Sequence, residues 1–356
     1  MKVLQKIPRT LSLASLIMAF CLGPVSANEK DKTIRLKMQS GYASSLAILG
    51  PVTQQLPKDI AAASDNSIRI QYFEPKGLVP NEGIFDAVST GSIDMGYAGL
   101  SFFAQKNPAL AFFDAVPFGM DANGLISWLE QGGGNDLRDK LLEKYKIKGL
   151  ICGFNAPEAG GWFNKEINAV QDLRGLKMRI AGLGGRTYEK LGVSTQNMAG
   201  GDIYAALERG VIDAAEYSMP ALDQNMGLYE IAKYYYFPGW HQTSSIQTLL
   251  INKDKWDGMS PRQQQAIQAS CNKAVLESIA VGEAIQGSAL DFIKSKGVQI
   301  KIFPQPILDD LNTAWQQVSE ELSGNNAEFK AVADSYNQFQ KSYSQWRALS
   351  AGNLPE

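Results

Sequence analysis

The chain has 356 residues, with 34 lysines and arginines against 36 aspartates and glutamates, and a formal net charge of −2. This length predicts about two domains of ordinary size. The lack of a basic block argues against nucleic acid as a partner. Beyond residue 27 the chain has only one histidine and two cysteines, a very thin set for a structural zinc site.

The first 27 residues have the pattern of an export signal. Lys2, Lys6 and Arg9 form a basic region, residues 11–22 form an apolar run, and Val25-Ser26-Ala27 is a small-residue cleavage site. The apolar run is too short to span a bilayer comfortably. We therefore expect cleavage after Ala27 and a soluble mature protein in the periplasm.

An eleven-residue pattern occurs twice in the chain. Residues 84–94 read IFDAVSTGSID, and residues 203–213 read IYAALERGVID. In each copy a short amphipathic helix ends at a glycine that can take positive φ, Gly91 or Gly210, and a strand follows. The repeat therefore predicts two related structural units.

Strands are also predicted before both copies. Residues 33–39 alternate apolar and polar side chains, residues 68–73 form a strand before the first copy, and residues 177–181 form one before the second. This matched context predicts the α/β fold class with two lobes. Ligands bind beyond the carboxyl ends of strands in such sheets, which places the predicted cleft near residues 96–98 and 216–217.

The two lobes take most of the chain in the predicted organisation. Lobe I covers residues 28–155 and is completed by part of 240–300, and lobe II covers 156–239. A long helix over 260–297 begins with a capping box of Ser260 and Gln263. At about 1.5 Å per residue, this helix is long enough to span both lobes.

A helical extension is predicted over residues 305–356, with an aromatic stripe at alternating spacings of three and four. The stripe consists of Phe329, Val332, Tyr336, Phe339, Tyr343 and Trp346. The spacing leaves two alternatives open, because such a stripe packs either on its own chain or against a second subunit.

Two cysteines, Cys152 and Cys271, lie beyond the export signal. Free cysteine is commonly buried, so two buried thiols are the expected state. A disulfide is the alternative that an oxidising compartment allows.

Several polar residues follow predicted strands or lie in loops. On residue type alone, Arg179 is expected to be exposed or salt-bridged, although its planar guanidinium suits a carboxylate ligand. Glu158, Glu216 and Gln242 offer oxygen atoms of the kind that hold Na⁺ or Ca²⁺. His241 alone is expected to be a loop residue or a lining residue rather than a metal ligand.

Two segments carry a family resemblance over essentially the whole mature chain. Residues 172–180 read DLRGLKMRI, and residues 200–216 read GGDIYAALERGVIDAAE. In these segments the sequence resembles the solute-binding subunits of tripartite ATP-independent periplasmic (TRAP) transporters. The resemblance implies a two-lobed periplasmic binding protein fold, TRAP membrane subunits as partners, and Arg179 as the residue that binds the ligand carboxylate.

Residues 107–119 and 234–240 are similar to the branch of that family that binds 2-oxo and 2-hydroxy acids. The similarity implies a homodimer formed through the C-terminal helical segment. It implies contacts to the ligand from Arg179, Glu158, Asn155, Tyr217, Trp240 and Phe103. It also implies an ion, Na⁺ or Ca²⁺, held by Glu158, Glu216, Gln242 and the backbone carbonyl of Tyr217.

The chain departs from this branch at three of those positions. The branch usually has Gln at the position of Glu158, Glu at that of Gln242, and Trp at that of Tyr217. The first two changes leave the number of carboxylates around the ion unchanged, whereas the third alters one wall of the pocket.

Two functions of other classes remain as alternatives. An exported metal-dependent enzyme acting on an organic acid would use His241 or Glu158 as its base, but no nucleophile or redox motif accompanies them. A ligand sensor would present the closed protein to a receptor. The leading expectation is a binding protein without catalysis.

Overall fold

The computed structural model describes residues 31–352 except 181, 197 and 199. The predicted export signal, residues 1–27, lies outside the described residues. The strands are β1 (Ile34–Ser40), β2 (Ile68–Phe73), β3 (Met95–Ala98), β4 (Ile147–Asn155), β5 (Gly161–Phe163), β6 (Lys177–Arg179), β7 (Ser194–Gln196), β8 (Ala214–Ala215), β9 (Tyr234–Phe237), β10 (Ser245–Asn252) and β11 (Gln299–Ile302).

Helices surround these strands, which confirms the predicted α/β class. They are α1 (Leu49–Ala63), α2 (Ile84–Thr90), α3 (Ala122–Gln131), α4 (Gly134–Glu143), α5 (Gly182–Lys190), α6 (Gly200–Glu208), α7 (Pro220–Met226), α8 (Lys253–Asp257), α9 (Pro261–Ala284), α10 (Gln286–Ser295), α11 (Gln305–Asn325) and α12 (Ala327–Ser350). Within the described residues, none of these helices combines the length and apolar character that a membrane span needs.

The strands form two sheets, which we call lobe I and lobe II together with the helices that pack on them. Lobe I has the strand order β2-β1-β3-β10-β4, and lobe II has β11-β9-β5-β8-β6-β7. Strand β10 comes from late in the chain and pairs antiparallel with β3 and β4. Lobe II likewise receives β11, which lies outside the range predicted for it.

The internal repeat is larger than the sequence pattern indicated. In lobe I the order β1-α1-β2-α2-β3 gives neighbours β2-β1-β3, and in lobe II β6-α5-β7-α6-β8 gives β7-β6-β8. Gly91 and Gly210 take φ of 76° and 68°, as the repeat predicted. The matching of residues 68–73 with 177–181 was wrong, because β7 directly precedes the second copy and β6 corresponds to β1.

The predicted helix over 260–297 is divided in two at Ile285. It begins as expected, since Ser260 Oγ accepts a 3.1 Å hydrogen bond from Gln263 N and Gln263 Oε1 accepts one of 3.1 Å from Ser260 N. Helix α9 packs on α1 and β4 of lobe I, whereas α10 packs on α7 of lobe II. The break therefore lies where the chain passes between the lobes.

Cys152 on β4 and Cys271 on α9 form a disulfide. The expectation of two free thiols was wrong, because α9 lies along β4 and brings the two fully buried cysteines together. This contact depends on how a helix and a strand from distant parts of the chain pack.

The aromatic stripe of α12 packs largely on its own chain. The Phe112 ring lies 5.0 Å from that of Phe329 and 5.3 Å from that of Tyr336, and Tyr336 Oη accepts a 2.8 Å hydrogen bond from Met120 N. At the other end of the stripe the side chain of Trp346 is 64% exposed. Of the two alternatives that the spacing left open, packing on its own chain therefore applies to the first half of the stripe.

Candidate functional site

Three buried ionisable side chains meet where the two lobes join. Glu158 lies in the segment after β4, Glu216 directly follows β8, and His241 lies between β9 and β10. Their relative exposures are 4%, 5% and 4%. One ligand atom from each lies within 4.8 Å of the others, an arrangement able to hold a metal ion. We call this group the acid–histidine cluster.

The histidine faces both carboxylates without a close hydrogen bond. His241 Nε2 lies 3.6 Å from Glu158 Oε2 and 3.5 Å from Glu216 Oε1. Neither ring nitrogen of His241 has a hydrogen-bond partner among the described residues, although both are buried. Buried polar atoms are nearly always bonded, so this ring indicates a site for a further group.

Backbone hydrogen bonds fix the three segments relative to one another. Glu158 N donates to Gln242 O at 3.2 Å, and Glu216 N donates to Arg179 O at 2.9 Å. The hydroxyl of Ser218 donates to Glu158 Oε1 at 3.0 Å. The carboxylates are thus held by the chain itself before any ligand arrives.

Arg179 is anchored beside the cluster and is mostly buried. Its Nη1 donates to the backbone carbonyl of Glu216 and, at 3.1 Å, to Glu216 Oε2, and its Nε donates to Met198 O at 3.3 Å. The guanidinium carbon lies 5.7 Å from the centre of the Tyr217 ring, within the range of a cation–π contact. Residue type alone predicted an exposed or salt-bridged arginine. The side chain is salt-bridged to Glu216 and only 12% exposed, so the second of these alternatives applies.

Burial and mutual charge shift the pKa values of the cluster in opposite directions. Burial, followed by the charge of Glu216, raises the pKa of Glu158 to about 7. Burial lowers the pKa of His241, but the two carboxylates outweigh it and raise that pKa to about 9. Burial also opposes ionisation of Glu216, yet His241 and Arg179 hold its pKa below the usual value. Two cationic groups therefore balance the carboxylates.

Gln242 completes the group on the side of Glu158. In one orientation of its amide, the nitrogen donates to Glu158 Oε1 and Oε2 at 2.9 and 2.5 Å; in the other, the amide oxygen occupies that position. An amide oxygen beside a carboxylate is favourable when a cation lies between them. The predicted residues Glu158, Glu216 and Gln242 thus lie together, and their oxygens suit a hard cation.

The remaining predicted ligand contacts have different surroundings. Asn155 ends β4, and its Oδ1 is buried without a partner among the described residues. Trp240 Nε1 donates to Tyr188 Oη at 3.3 Å, and its ring stacks on Phe118 in the core of lobe II. The ring of Tyr217 lies beside Arg179; the role of its carbonyl stays a prediction.

Phe103 and Tyr97 lie in the core of lobe I. The Phe103 ring is 5.1 Å from that of Phe85, and Tyr97 is fully buried with its hydroxyl donating to Cys152 O at 3.1 Å. These contacts lend no support to the predicted contact of Phe103 with a ligand. The Tyr97 side chain points into the core, so it does not line the cleft expected near residues 96–98.

Two residues near the cluster were missed by the sequence reasoning. Tyr42 follows β1, accepts a 3.0 Å hydrogen bond from Gly99 N, and packs on an apolar cluster that joins the lobes. This apolar cluster consists of Ile48, Leu49, Ala156, Met219 and Leu222. The second missed residue is Ser218, whose hydroxyl donates a hydrogen bond to Glu158. The carboxyl end of β1 was a usable signal for Tyr42.

Several solute-binding proteins are similar to this protein over most of its chain. A monocarboxylate 2-oxoacid-binding periplasmic protein of Nostoc sp. is 33% identical over 318 residues, which cover 89% of this chain and 87% of that protein. A TRAP solute-binding protein of Bordetella bronchiseptica has a TM-score of 0.87 at 34% identity, covering 90% of this chain and 96% of its own. Its structure is described as a mixed-occupancy dimer with copurified calcium and picolinate in one site.

Two further solved structures show the same fold. A TRAP protein of Colwellia psychrerythraea with bound calcium and pyruvate has a TM-score of 0.86 at 31% identity, covering 90% of this chain and 98% of its own. A TRAP protein of Pseudoalteromonas atlantica with bound sodium and pyruvate has a TM-score of 0.86 at 30% identity and the same coverage.

The family itself follows from a match that extends through both lobes. Residues 40–325 match the family described as bacterial extracellular solute-binding protein, family 7 (DctP). This match confirms the expected class of solute-binding protein acting outside the cytoplasm. The chain therefore belongs to family 7 of the bacterial extracellular solute-binding proteins.

Proposed function

We propose that this protein binds a small monocarboxylate with an oxo or hydroxyl group at carbon 2, together with one cation. The observation that carries the proposal is the buried guanidinium of Arg179 beside the acid–histidine cluster. The relatives of similar length bind pyruvate, picolinate or 2-oxo acids. In the periplasm, the ligand-bound protein would deliver its ligand to the TRAP membrane subunits.

Arg179 is suited to hold the carboxylate. A guanidinium donates two parallel hydrogen bonds to a carboxylate, and this one is fixed by Met198 and Glu216. Its charge is shared with Glu216, so an ion that draws the Glu216 carboxylate towards itself would release the guanidinium for the ligand. Ion and ligand would therefore bind cooperatively.

The polar group on carbon 2 has partners of its own. When bound, the ion supplies positive charge to the ligand oxygens, and Glu158, Glu216 and Gln242 would hold it. The buried Oδ1 of Asn155 is free to accept a hydrogen bond from a ligand hydroxyl. The apolar cluster around Ile48 and Met219 excludes water beside the site, which strengthens these polar contacts.

We further propose that the site binds without turnover. Glu158 accepts a hydrogen bond from the Ser218 hydroxyl and would be occupied by the ion, so its carboxylate is not free to move a proton. The test is to incubate the protein with a panel of 2-oxo and 2-hydroxy acids and follow the acids by NMR. Unchanged spectra are expected; a product that disappears in Glu158→Gln would support an enzyme instead.

Calorimetry with pyruvate tests the binding proposal. Arg179→Ala should weaken binding roughly 30- to 5,000-fold, because losing one partner of a buried charge pair costs about 2–5 kcal/mol. Arg209→Ala removes an exposed arginine of the same lobe and should leave the affinity unchanged. Acetate, which lacks the oxygen on carbon 2, should bind more weakly than pyruvate. Wild-type affinity in folded Arg179→Ala would refute the proposal.

A homodimer is proposed through the end of α12. The side chains of Trp346 and Leu349 are 64% and 54% exposed there, and the Bordetella bronchiseptica relative forms a dimer. Light scattering should give twice the chain mass for the mature protein and a lower mass for the Trp346→Ala/Leu349→Ala variant. Equal masses in both would exclude this surface.

A further inference from the structure

A buried amide on β10 of lobe I has no evident structural role. Gln247 is 2% exposed, and its Oε1 has no hydrogen-bond partner among the described residues. On the same face of β10, Leu249 and Ile251 belong to the apolar core of lobe I. An amide oxygen that is buried without a partner destabilises the fold, so packing alone does not account for a glutamine at this position.

Strand pairing places Gln247 at the end of the lobe I sheet from which the chain crosses to lobe II. Its neighbour Thr248 pairs with Ala98, the last residue of β3, so Gln247 lies one position beyond the carboxyl end of that strand. Ligands of open α/β sheets bind beyond such strand ends. Two of the segments that carry the acid–histidine cluster leave the same end of the sheet, one after β4 and one before β10.

Gly153 on β4 leaves space beside the Gln247 side chain. It pairs with Gln247, and a Cβ built on it would stand 2.6 Å from Tyr97 Oη and 3.3 Å from Gln247 Cβ. Asn155, two residues further along β4, lies on the same face of the sheet, and its buried Oδ1 is likewise unbonded within the described ranges. The two amides are therefore neighbouring polar positions on an otherwise apolar face.

Tyr42 adds a hydroxyl donor beside these amides. Its Oη accepts a 3.0 Å hydrogen bond from Gly99 N, while its own O–H has no acceptor in the part of the chain that the structure describes. Its ring meets that of Tyr97 edge-on, with 6.2 Å between the ring centres, and packs on the apolar cluster between the lobes. We call Tyr42, Asn155 and Gln247 the lobe I polar group. Two acceptor oxygens and one O–H donor suit an alcohol hydroxyl, which both donates and accepts.

We propose that Gln247 is a ligand-binding residue and that the ligand carries a hydroxyl group on carbon 3, bound by Gln247 and Tyr42. The inference rests on the proposed function and narrows its ligand class to 2-oxo and 2-hydroxy monocarboxylates with a polar end. With the carboxylate on Arg179 of lobe II and the oxygen on carbon 2 at the ion, carbon 3 is the part of the ligand left to face lobe I. A hydroxyl there supplies the partner that the buried amide lacks.

Two ligands of nearly equal size and shape test this class. The acids 3-hydroxypyruvate and 2-oxobutanoate differ only in carrying a hydroxyl or a methyl group on carbon 3. Calorimetry of the mature protein with each acid, in the presence of Ca²⁺ and of Na⁺, therefore isolates the contribution of that group. We expect 3-hydroxypyruvate to bind at least ~10-fold more tightly, because the methyl group of 2-oxobutanoate would leave the buried amide and the Tyr42 hydroxyl unbonded.

Matched variants then assign the preference to the lobe I polar group. Gln247→Met keeps the length of the side chain but removes its amide, so the ratio of the two affinities should fall to about 1 or reverse. Tyr42→Phe should also lower the ratio, because the hydroxyl donor is lost. Gln265→Met changes an exposed glutamine on α9 of the same lobe and should keep the wild-type ratio. The ratio is the quantity to compare, since a general loss of structure weakens both ligands alike.

The outcomes separate this inference from the proposed function. Equal affinities for the two acids in the wild type, a preference for 2-oxobutanoate, or an unchanged ratio in either folded variant overturns the inference. Pyruvate binding with a cation would in those cases leave the proposed function standing. Failure of the wild type to bind pyruvate or either of the two acids with any ion overturns both. A wild-type preference for 3-hydroxypyruvate that Gln247→Met abolishes and Gln265→Met keeps supports the inference.

Discussion

The disulfide between Cys152 and Cys271 should account for much of the stability of lobe I. It closes a segment of 119 residues, and the loss of chain entropy in the unfolded state for a loop of this length corresponds to about 5 kcal/mol at 25 °C. Comparing oxidised with reduced wild-type protein isolates the cross-link, because no side chain is changed. The free energy of unfolding should fall by about this amount on reduction.

Guanidinium unfolding followed by tryptophan fluorescence, with and without reductant, measures the difference. Cys271→Ala provides the control, since its unfolding should not respond to reductant. Pyruvate affinity should be unchanged in reduced but folded protein, because both cysteines belong to a core cluster of lobe I that includes none of the acid–histidine residues. Equal unfolding midpoints in oxidised and reduced wild-type protein, or two free thiols in the oxidised mature protein, would refute this reasoning.

Three further predictions concern single side chains. Burial raises the pKa of Asp114 to about 6, so the folded state holds this proton more tightly than the unfolded state, and stability is lost as pH rises from about 4 through 6. The free energy of unfolding falls by about 3 kcal/mol over this pH range. Denaturant unfolding should therefore show Asp114→Asn to be more stable than wild type by about this amount at pH 7, and nearly equal to wild type at pH 4. Tyr336→Phe removes the acceptor of the Met120 N–H and should lower the unfolding free energy by about 1–3 kcal/mol; no change would contradict the packing of α12. Ser218→Ala removes the hydrogen bond to Glu158 and should weaken ion binding by roughly 10- to 100-fold in calorimetry, and unchanged affinity would show that Glu158 is oriented otherwise.

Local features of the fold were predictable from the sequence because short-range geometry determines them. The helix ends at Gly91 and Gly210 and the cap at Ser260 follow from backbone conformation and neighbouring side chains. The disulfide and the packing of α12 were not predictable from the sequence, because each depends on two elements from distant parts of the chain packing together. The stripe spacing described a helix face correctly but could not tell which surface would cover it.

The same distinction applies to the site. The resemblance singled out Arg179, Glu158 and Glu216, and the structure brings these three together. His241 was expected to be a loop or lining residue rather than a metal ligand, because a lone histidine between a tryptophan and a glutamine carries no spacing signal. Its position between the carboxylates arises from the convergence of three loops, and Gly184 on a helix from elsewhere in lobe II admits it.

A crystal structure of the mature protein with pyruvate and one bound ion is the most direct test of the central claim. We expect the pyruvate carboxylate on the Arg179 guanidinium, and the ion in contact with Glu158, Glu216 and the oxygen on carbon 2. A ligand whose carboxylate lies away from Arg179, with the guanidinium still bonded to the Glu216 carboxylate, would contradict it.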